Sequence, residues 1–597
     1  LSPNPVLAQY QSINGRLVGA SVNVWNSNFF NNVGRVYNNY RKFDFTRNTI
    51  NFDAQLDLLP GGSIKNRHNI QFGGNIEIRN NRRWSINPRE LWTMAIDAAN
   101  SHFVAGVDTT VFTGGVFDGP PPFGEIPLQE YGRLIEIDPD KKFYQEIRNL
   151  YGLSLNDFVN IEGVGIDKNL SLDLFSASEL INWRQLNLDY YGYDYLGNAI
   201  SGVTFDDFFT ATDDAGRRTF PVAPLQPVYF AGYIQDKFTY EDIILRVGVR
   251  ADYFDANTKV LRDPYSLYRI ETADEFSRRR DVQIPGSVDP EAAVYITGDD
   301  RDNDGIKAFR MGDDWFAPDG TKTDPRLIFG TDPVSPSYSF SDAENNIQSR
   351  EFKTDNSFID YNPSFKLTPR ISLSFPISEE AGFFAHYDQL VQRPTSNTEF
   401  TALDYFFFED IARLNPGGGA ANNPNLRPET TIDYEVGFQQ KLTNSSAIKL
   451  SMYYKENRDL IQTRYLLNVP IVNNYLTFDN IDFGTVKGFT ASYDLRRTGN
   501  LELSASYTLQ YAEGTGSSAN SGLSSRNGEV RVLVPLSFDE RHRIVGNVDY
   551  RYASGDKYNG PTVQGLDLLA NTGLNLQIAA VSGRPYTRAS NISTPFS

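Results

Sequence analysis

Three aspartates at alternate positions, Asp300, Asp302 and Asp304, run into Gly305 and Ile306, and this is where the chain has its clearest capacity for chemistry. Carboxylate oxygens spaced this way can wrap one Ca²⁺, with the glycine making the turn and Ile306 offering its carbonyl. The bidentate Glu that completes such a loop is missing. Met311 stands at position twelve, with Asp313 or Asp314 as substitutes. The same residues also read as a solvated acidic turn. The four histidines, His68, His102, His386 and His542, are scattered, and neither HExxH nor GxSxG occurs. They read as interfacial or hydrogen-bonded side chains, and the chain reads as no enzyme. Arg278, Arg279 and Arg280 form a basic triplet, suited to lipopolysaccharide phosphates or simply to water.

The remaining charges fall into a pattern that says more about architecture than about catalysis. Asp433 and Glu435 alternate with Ile432, Tyr434, Val436 and Phe438. After the polar turn Lys441–Ser446, Ile448, Leu450, Met452 and Tyr454 alternate with Ala447, Lys449, Ser451 and Tyr453. Period two over this length predicts an amphipathic β-hairpin. Strands of about ten residues with one apolar and one charged row suit a barrel that crosses a membrane. The pattern recurs. Asn51–Leu58 and Ile70–Arg79 flank Pro60-Gly61-Gly62, and Val228–Phe238 and Ile243–Phe254 flank Thr239–Asp242. Further strands are expected at Ser364–Phe375, Phe383–Val391, Thr485–Arg496, Leu501–Tyr511, Val530–Leu536 and Arg541–Tyr552, with a weaker one around Gly15–Val24. Arg246, Arg250, Arg496, Arg543 and Arg551 should face the lumen and pair with carboxylates there.

The connections sort by length. Tight ones are expected at Thr239–Asp242, Ser378–Ala381, Lys441–Ser446, Arg497–Asn500 and Ser537–Glu540. Long ones are expected at 81–227, 255–358, 392–428, 458–484 and 512–528. Short turns on one side and long loops on the other is the outer-membrane arrangement. Within the first long insertion, Pro88–Ala99 and Lys141–Leu150 have helical spacing. The aromatic segments Tyr190–Tyr195, Phe205–Phe209 and Tyr405–Phe408 would either contact a ligand or pack the loops together.

Composition agrees. The 597 residues are 13% aromatic, which suits interfacial girdles, and carry a net charge of −18, which argues against nucleic acid as a partner. Mean hydropathy is −0.42 and no run of about 18 apolar residues occurs, so no transmembrane helix is expected. There is no cysteine, which excludes disulfides and thiolate metal sites. A signal peptide is not evident and the first residue is not Met, so the chain reads as a mature or trimmed fragment.

With these residues in view, the chain resembles the TonB-dependent receptors, specifically the Oar-like (OmpA-related) receptors of Bacteroidota. The matching blocks, in order, include Arg67-His-Asn-Ile-Gln-Phe-Gly73, Ser171-Leu-Asp-Leu-Phe-Ser176, Tyr191-Gly-Tyr-Asp-Tyr195 and Ala231-Gly-Tyr-Ile-Gln-Asp-Lys-Phe238. They continue with Val260-Leu-Arg-Asp-Pro-Tyr265, Phe384-Ala-His-Tyr387, Gln392-Arg-Pro394 and Asn423-Pro-Asn-Leu-Arg-Pro-Glu429. Asp482-Phe-Gly-Thr-Val-Lys-Gly488, Tyr507-Thr-Leu-Gln510 and Ser582-Gly-Arg-Pro-Tyr-Thr587 complete the set. The resemblance implies an all-β, antiparallel outer-membrane barrel, 22-stranded in the family, with a plug and coupling box driven by the inner-membrane TonB complex. Here the expected division is early barrel strands in 1–80, an extracellular insertion in 81–227, a barrel hairpin in 228–254, an acidic extracellular insertion in 255–358 and late strands in 359–597. The plug and last strands are expected outside this sequence. The implied function is energy-coupled transport of a large substrate, a peptide or protein, with lipopolysaccharide, outer-membrane lipids and a surface lipoprotein or other outer-membrane protein as partners. A docking scaffold and a passive porin are the alternatives.

Overall fold

A computed structural model describes residues 39–62, 66–103, 106–112, 115–118, 125–128, 131–133, 138, 140–155, 157–161, 170–181, 188–297, 305–329, 334–338, 342–408, 419–469, 473–521 and 532–586. The weak strand expected around Gly15–Val24 lies outside them. Period-two alternation becomes one fourteen-stranded sheet. Twelve strands follow each other along it in chain order: β1 (Tyr40–Leu58), β2 (Asn66–Ile86), β3 (Val228–Tyr240), β4 (Ile243–Asp255), β5 (Ser364–Pro376), β6 (Ala381–Gln392), β7 (Glu429–Thr443), β8 (Ser446–Val469), β9 (Asn473–Thr498), β10 (Leu501–Gly514), β11 (His542–Arg551) and β12 (Gly573–Val581). Every neighbouring pair is antiparallel. Among the described residues β1 and β12 are the two edges.

Register fixes which row faces where. Ile50 pairs with Ile76 and Ile76 with Phe230, so one apolar stripe crosses β1, β2 and β3. It continues through Ile234, Val249 and Pro369, and again through Phe383, Phe438 and Leu450. These apolar side chains are not tucked into a core: Phe52 is 56% exposed, Met452 61% and Leu574 72%. A wide apolar face left open to the surroundings is what lipid would cover. No helix among the described residues is long and apolar enough to cross a membrane, so any crossing falls to the strands.

The long connections differ from expectation in two places. Residues 458–469 and 473–484 are strand rather than loop. They extend β8 and β9 into a tall ribbon, with register shifts at Asn457/Leu460 and Leu467/Val469 and a positive φ of 57° at Asp459. The bulges break the alternation, so the strands are hard to read locally. The turn expected at Ser537–Glu540 lies inside a long connection, because β10 pairs directly with β11. Within the segment read as Val530–Leu536, the described strand is only Val534–Pro535, at the end of β10. The chain also forms β12, which the sequence reading left out.

The described parts of the long connections are folded. Pro88–Ala99 and Phe143–Tyr151 are helices and pack on each other. The described residues between 270 and 338 build a module of their own: the helix Ala273–Arg280, opened by a Thr272–Glu275 capping box, lies beside a five-stranded sheet. Phe276, Val294 and Phe309 form one small core there, and Tyr295, Trp315 and Ile328 another. A two-stranded stalk, Lys259–Leu261 with Phe358–Asp360, ties this module to the sheet.

Candidate functional site

Two surfaces could handle a solute: the polar inner row of the sheet and the cap that the long connections build over one end of it. The inner row is laced with ion pairs. Arg250 donates to Asp252 at 2.9 Å and to the Tyr229 hydroxyl at 2.9 Å. Lys455 reaches Asp433 at 2.9 Å, and Arg551 reaches Asp549 at 3.6 Å. Arg543 lies 3.9 Å from Glu540, in the connection beyond its strand. Arg246 instead sits in register between Lys237 and Ser372. His386 stands 3.7 Å from Glu435 and 4.0 Å from Asp433. Half-exposed pairs of this kind each contribute little to stability, so they line the wall more than they lock it.

Glycines let side chains lie flat on this wall. Phe384 covers Gly437, and Tyr453 covers Gly488 while donating to Gln510 at 3.0 Å. A Cβ at either glycine would enter the ring above it.

The cap is one continuous apolar body drawn from distant segments. Trp84 at the end of β2, Phe143, Phe208, Leu267, Phe358 and Tyr405 share a buried cluster with Tyr475 of the ribbon. The aromatic segments left open by the sequence are therefore packed together: Tyr190, Phe208 and Tyr405 are all buried. Arg393, just past β6, crosses to Glu77 of β2 at 2.7 Å, and Arg79 donates to the same carboxylate oxygen at 2.7 Å. Glu77 itself is buried. Burial pushes the Asp404 carboxyl up to about 6, against the backbone and hydroxyl donors of Thr401 that favour its charged form.

A polar latch joins the module to the ribbon. Arg464 of β8 pairs with Asp479 at 2.6 Å and with Asp313 of the module. The Tyr265 hydroxyl donates to Asp313 at 3.1 Å, and burial together with that carboxylate raises Tyr265 to about 12. Arg310 pairs with Asp263 and stacks on Tyr265, its carbon 4.7 Å from the ring centre. Neither this latch nor the Glu77–Arg393 contact was legible in the sequence. Their partners lie 151 and 316 residues apart, and the Val260–Tyr265 and Gln392-Arg393-Pro394 blocks mark only one side of each contact.

The residues singled out for metal are not brought into view. Asp300, Asp302 and Asp304 lie outside the described residues. Ile306 opens a strand of the module and pairs with Ile296, and the Gly305 carbonyl already accepts from Thr297 at 3.0 Å. Among the described residues no group of three His, Asp or Glu is placed to hold a metal ion. The histidines stay apart. His68 pairs with Asp236 at 2.7 Å on the apolar row, His102 is buried beside Arg148, and His542 accepts or donates to Tyr507 at 2.9 Å. The arginine triplet ends a helix, where Arg278 pairs with Asp274 and Arg279 with Glu271.

A meandering antiparallel sheet with an apolar outer row, a wet inner row and long connections gathered into a cap defines an outer-membrane β-barrel. Residues 7–593 match the family described as TonB dependent receptor-like, beta-barrel, and the chain belongs to that family, a family of receptors and not of enzymes. Among solved structures it is similar to the copper transporter OprC (9% identity, 85% of this chain and 42% of that one, TM-score 0.32). It is also similar to the alcaligin outer-membrane receptor FauA of Bordetella pertussis (9%, 87% and 45%, TM-score 0.32) and the outer-membrane transporter YddB of Escherichia coli (10%, 91% and 47%, TM-score 0.33). The chain thus spans less than half the length of these structures. No curated protein matches it.

Proposed function

We propose that this chain is the barrel portion of an energy-coupled outer-membrane transporter for a large substrate, a peptide or protein, driven by the inner-membrane TonB complex. One observation carries the choice over a passive porin. The connections after β2, β4 and β6 and the β8–β9 ribbon contribute to a single packed cap at one end of the inner wall, braced by Glu77–Arg393. A porin needs an open path, whereas a coupled transporter needs a covered one that work can open. In this reading 81–227 and 255–358 face the exterior, the outer rows meet lipopolysaccharide and outer-membrane lipid, and the chain falls in the Oar-like group of Bacteroidota. The complete protein reconstituted in liposomes should admit no small sugars by swelling, and wild-type permeability matching an open porin would refute the proposal. A second reading, a scaffold docking a surface lipoprotein or other outer-membrane protein, draws on the exposed apolar side chains Trp92, Phe103, Leu155 and Phe158 in the first insertion.

The calcium loop of Asp300, Asp302, Asp304 and Ile306 is part of the same proposal. Calorimetry should detect calcium binding in the micromolar to millimolar range that Asp302→Ala abolishes; no heat with the wild type ends it.

A further inference from the structure

A cleft of about 420 Å³ opens between the module and its stalk. Its size falls within the range of ligand sites, about 300–1,000 Å³. Three arginines and three carboxylates line it, Arg262, Arg269 and Arg310 against Asp263, Glu291 and Asp313, so the walls carry no net charge. Most of these groups are already committed. Arg310 is held by Asp263, the Tyr295 hydroxyl and the Gly312 carbonyl. Asp313 is held by Tyr265 and Arg464, and Arg269 by Glu275.

Three polar groups are left over among the described residues. Asn356, only 7% exposed, lines the cleft, and its Nδ2 amide has no acceptor. A buried donor left without a partner is costly and calls for a ligand atom to satisfy it. Arg262 is its neighbour, because the Arg262 backbone amide donates to the Ser357 carbonyl; one guanidinium nitrogen is spent on the Asp355 carbonyl and the rest of the fork is available. On the module side Glu291 is exposed and its carboxylate has no side-chain partner. Apolar surface from Ile270, Ala293 and Met311 lies between.

We propose that this cleft binds a short peptide, with a backbone carbonyl or the carboxylate end on Asn356 and Arg262 and the free ammonium on Glu291. The balance of charge disfavours polyanions such as phosphates. The lone aromatic residue in the lining, Tyr268, is buried, so no flat ring is offered to a sugar. The assignment deepens the transporter reading above by giving a peptide substrate a first capture point, and it rests on that reading for its physiological role.

The test is calorimetry on the full chain in detergent micelles, with trialanine as probe. Saturable binding is expected. Asn356→Leu and Glu291→Gln should each weaken it about tenfold, the loss of one good hydrogen bond. Acetylating the probe's amino end should weaken binding to the wild type but not to Glu291→Gln. Asn356→Leu removes an unsatisfied amide, so its melting temperature should hold or rise. If it falls, Glu291→Gln, at an exposed position, decides alone. No saturable binding of trialanine up to millimolar concentrations, or binding that Glu291→Gln leaves unchanged, overturns the assignment, as does its displacement by cellotriose. Liposome permeability is a separate readout, so either reading can fail without the other.

Discussion

Replacing Gly488 by Ala tests whether flat packing on the inner wall holds the strands together. Gly488 of β9 lies between β8 and β10, paired with Tyr453 and Gln510. An added Cβ would stand 2.5 Å from the Tyr453 hydroxyl and 2.8 Å from the Leu509 carbonyl. The ring can swing away, but the carbonyl belongs to the neighbouring strand and cannot. Overpacking of this kind costs about 1–3 kcal/mol. Displacing the ring also breaks the 3.0 Å Tyr453–Gln510 hydrogen bond, for about 1 kcal/mol more. The expected loss is therefore about 2–4 kcal/mol, read by denaturant unfolding in micelles and by heat-dependent gel mobility. Gly437→Ala should cost less, because the nearest atoms all belong to the Phe384 ring. Adding Tyr453→Ala to Gly488→Ala should recover part of the loss but not all, since the Leu509 carbonyl remains. A Gly488→Ala protein within about 0.5 kcal/mol of wild type, well below the overpacking range, refutes the reasoning.

Other expectations follow from the same geometry. Val249, mid-strand and in register with Ile234 and Pro369, faces lipid; Val249→Arg should cost about 2–4 kcal/mol of barrel stability, and Ser506→Arg on the inner row far less, with equal tolerance reversing the assignment of faces. Asp404 holds its proton more tightly folded, at about 6, than the ordinary 3.8, so the folded cap takes up a proton between those values. Cap stability should rise as pH falls from about 6 to about 4, by at most about 3 kcal/mol, and stay flat above about 7. Asp404→Asn should erase that slope in hydrogen exchange of residues 401–408, and an unchanged slope would assign it elsewhere. Arg464→Met should release the module from the ribbon while leaving its own cores intact, seen as faster exchange at the stalk, Lys259–Leu261, without faster exchange at Phe309; uniform protection would mean the latch carries no load.

By itself the sequence determined, for the strands whose alternation is unbroken, which row is apolar and which is polar. Ile432, Val436 and Phe438 alternate with Asp433 and Glu435 because adjacent side chains on a strand live in different solvents, and that rule needs no long-range information. The helix Pro88–Ala99 was legible for a similar local reason, its period of 3.6 and a proline at the first turn. Only the tertiary structure decided that 458–469 and 473–484 form a ribbon, since its bulges destroy the period, and that 537–540 is no hairpin, since pairing between β10 and β11 bypasses it. It alone also decided that Tyr190, Phe208 and Tyr405 bury one another, that Glu77 meets Arg393, and that Asn356 faces a cleft with its amide unmet. Those contacts join residues far apart in the chain, where no local spacing records the partner.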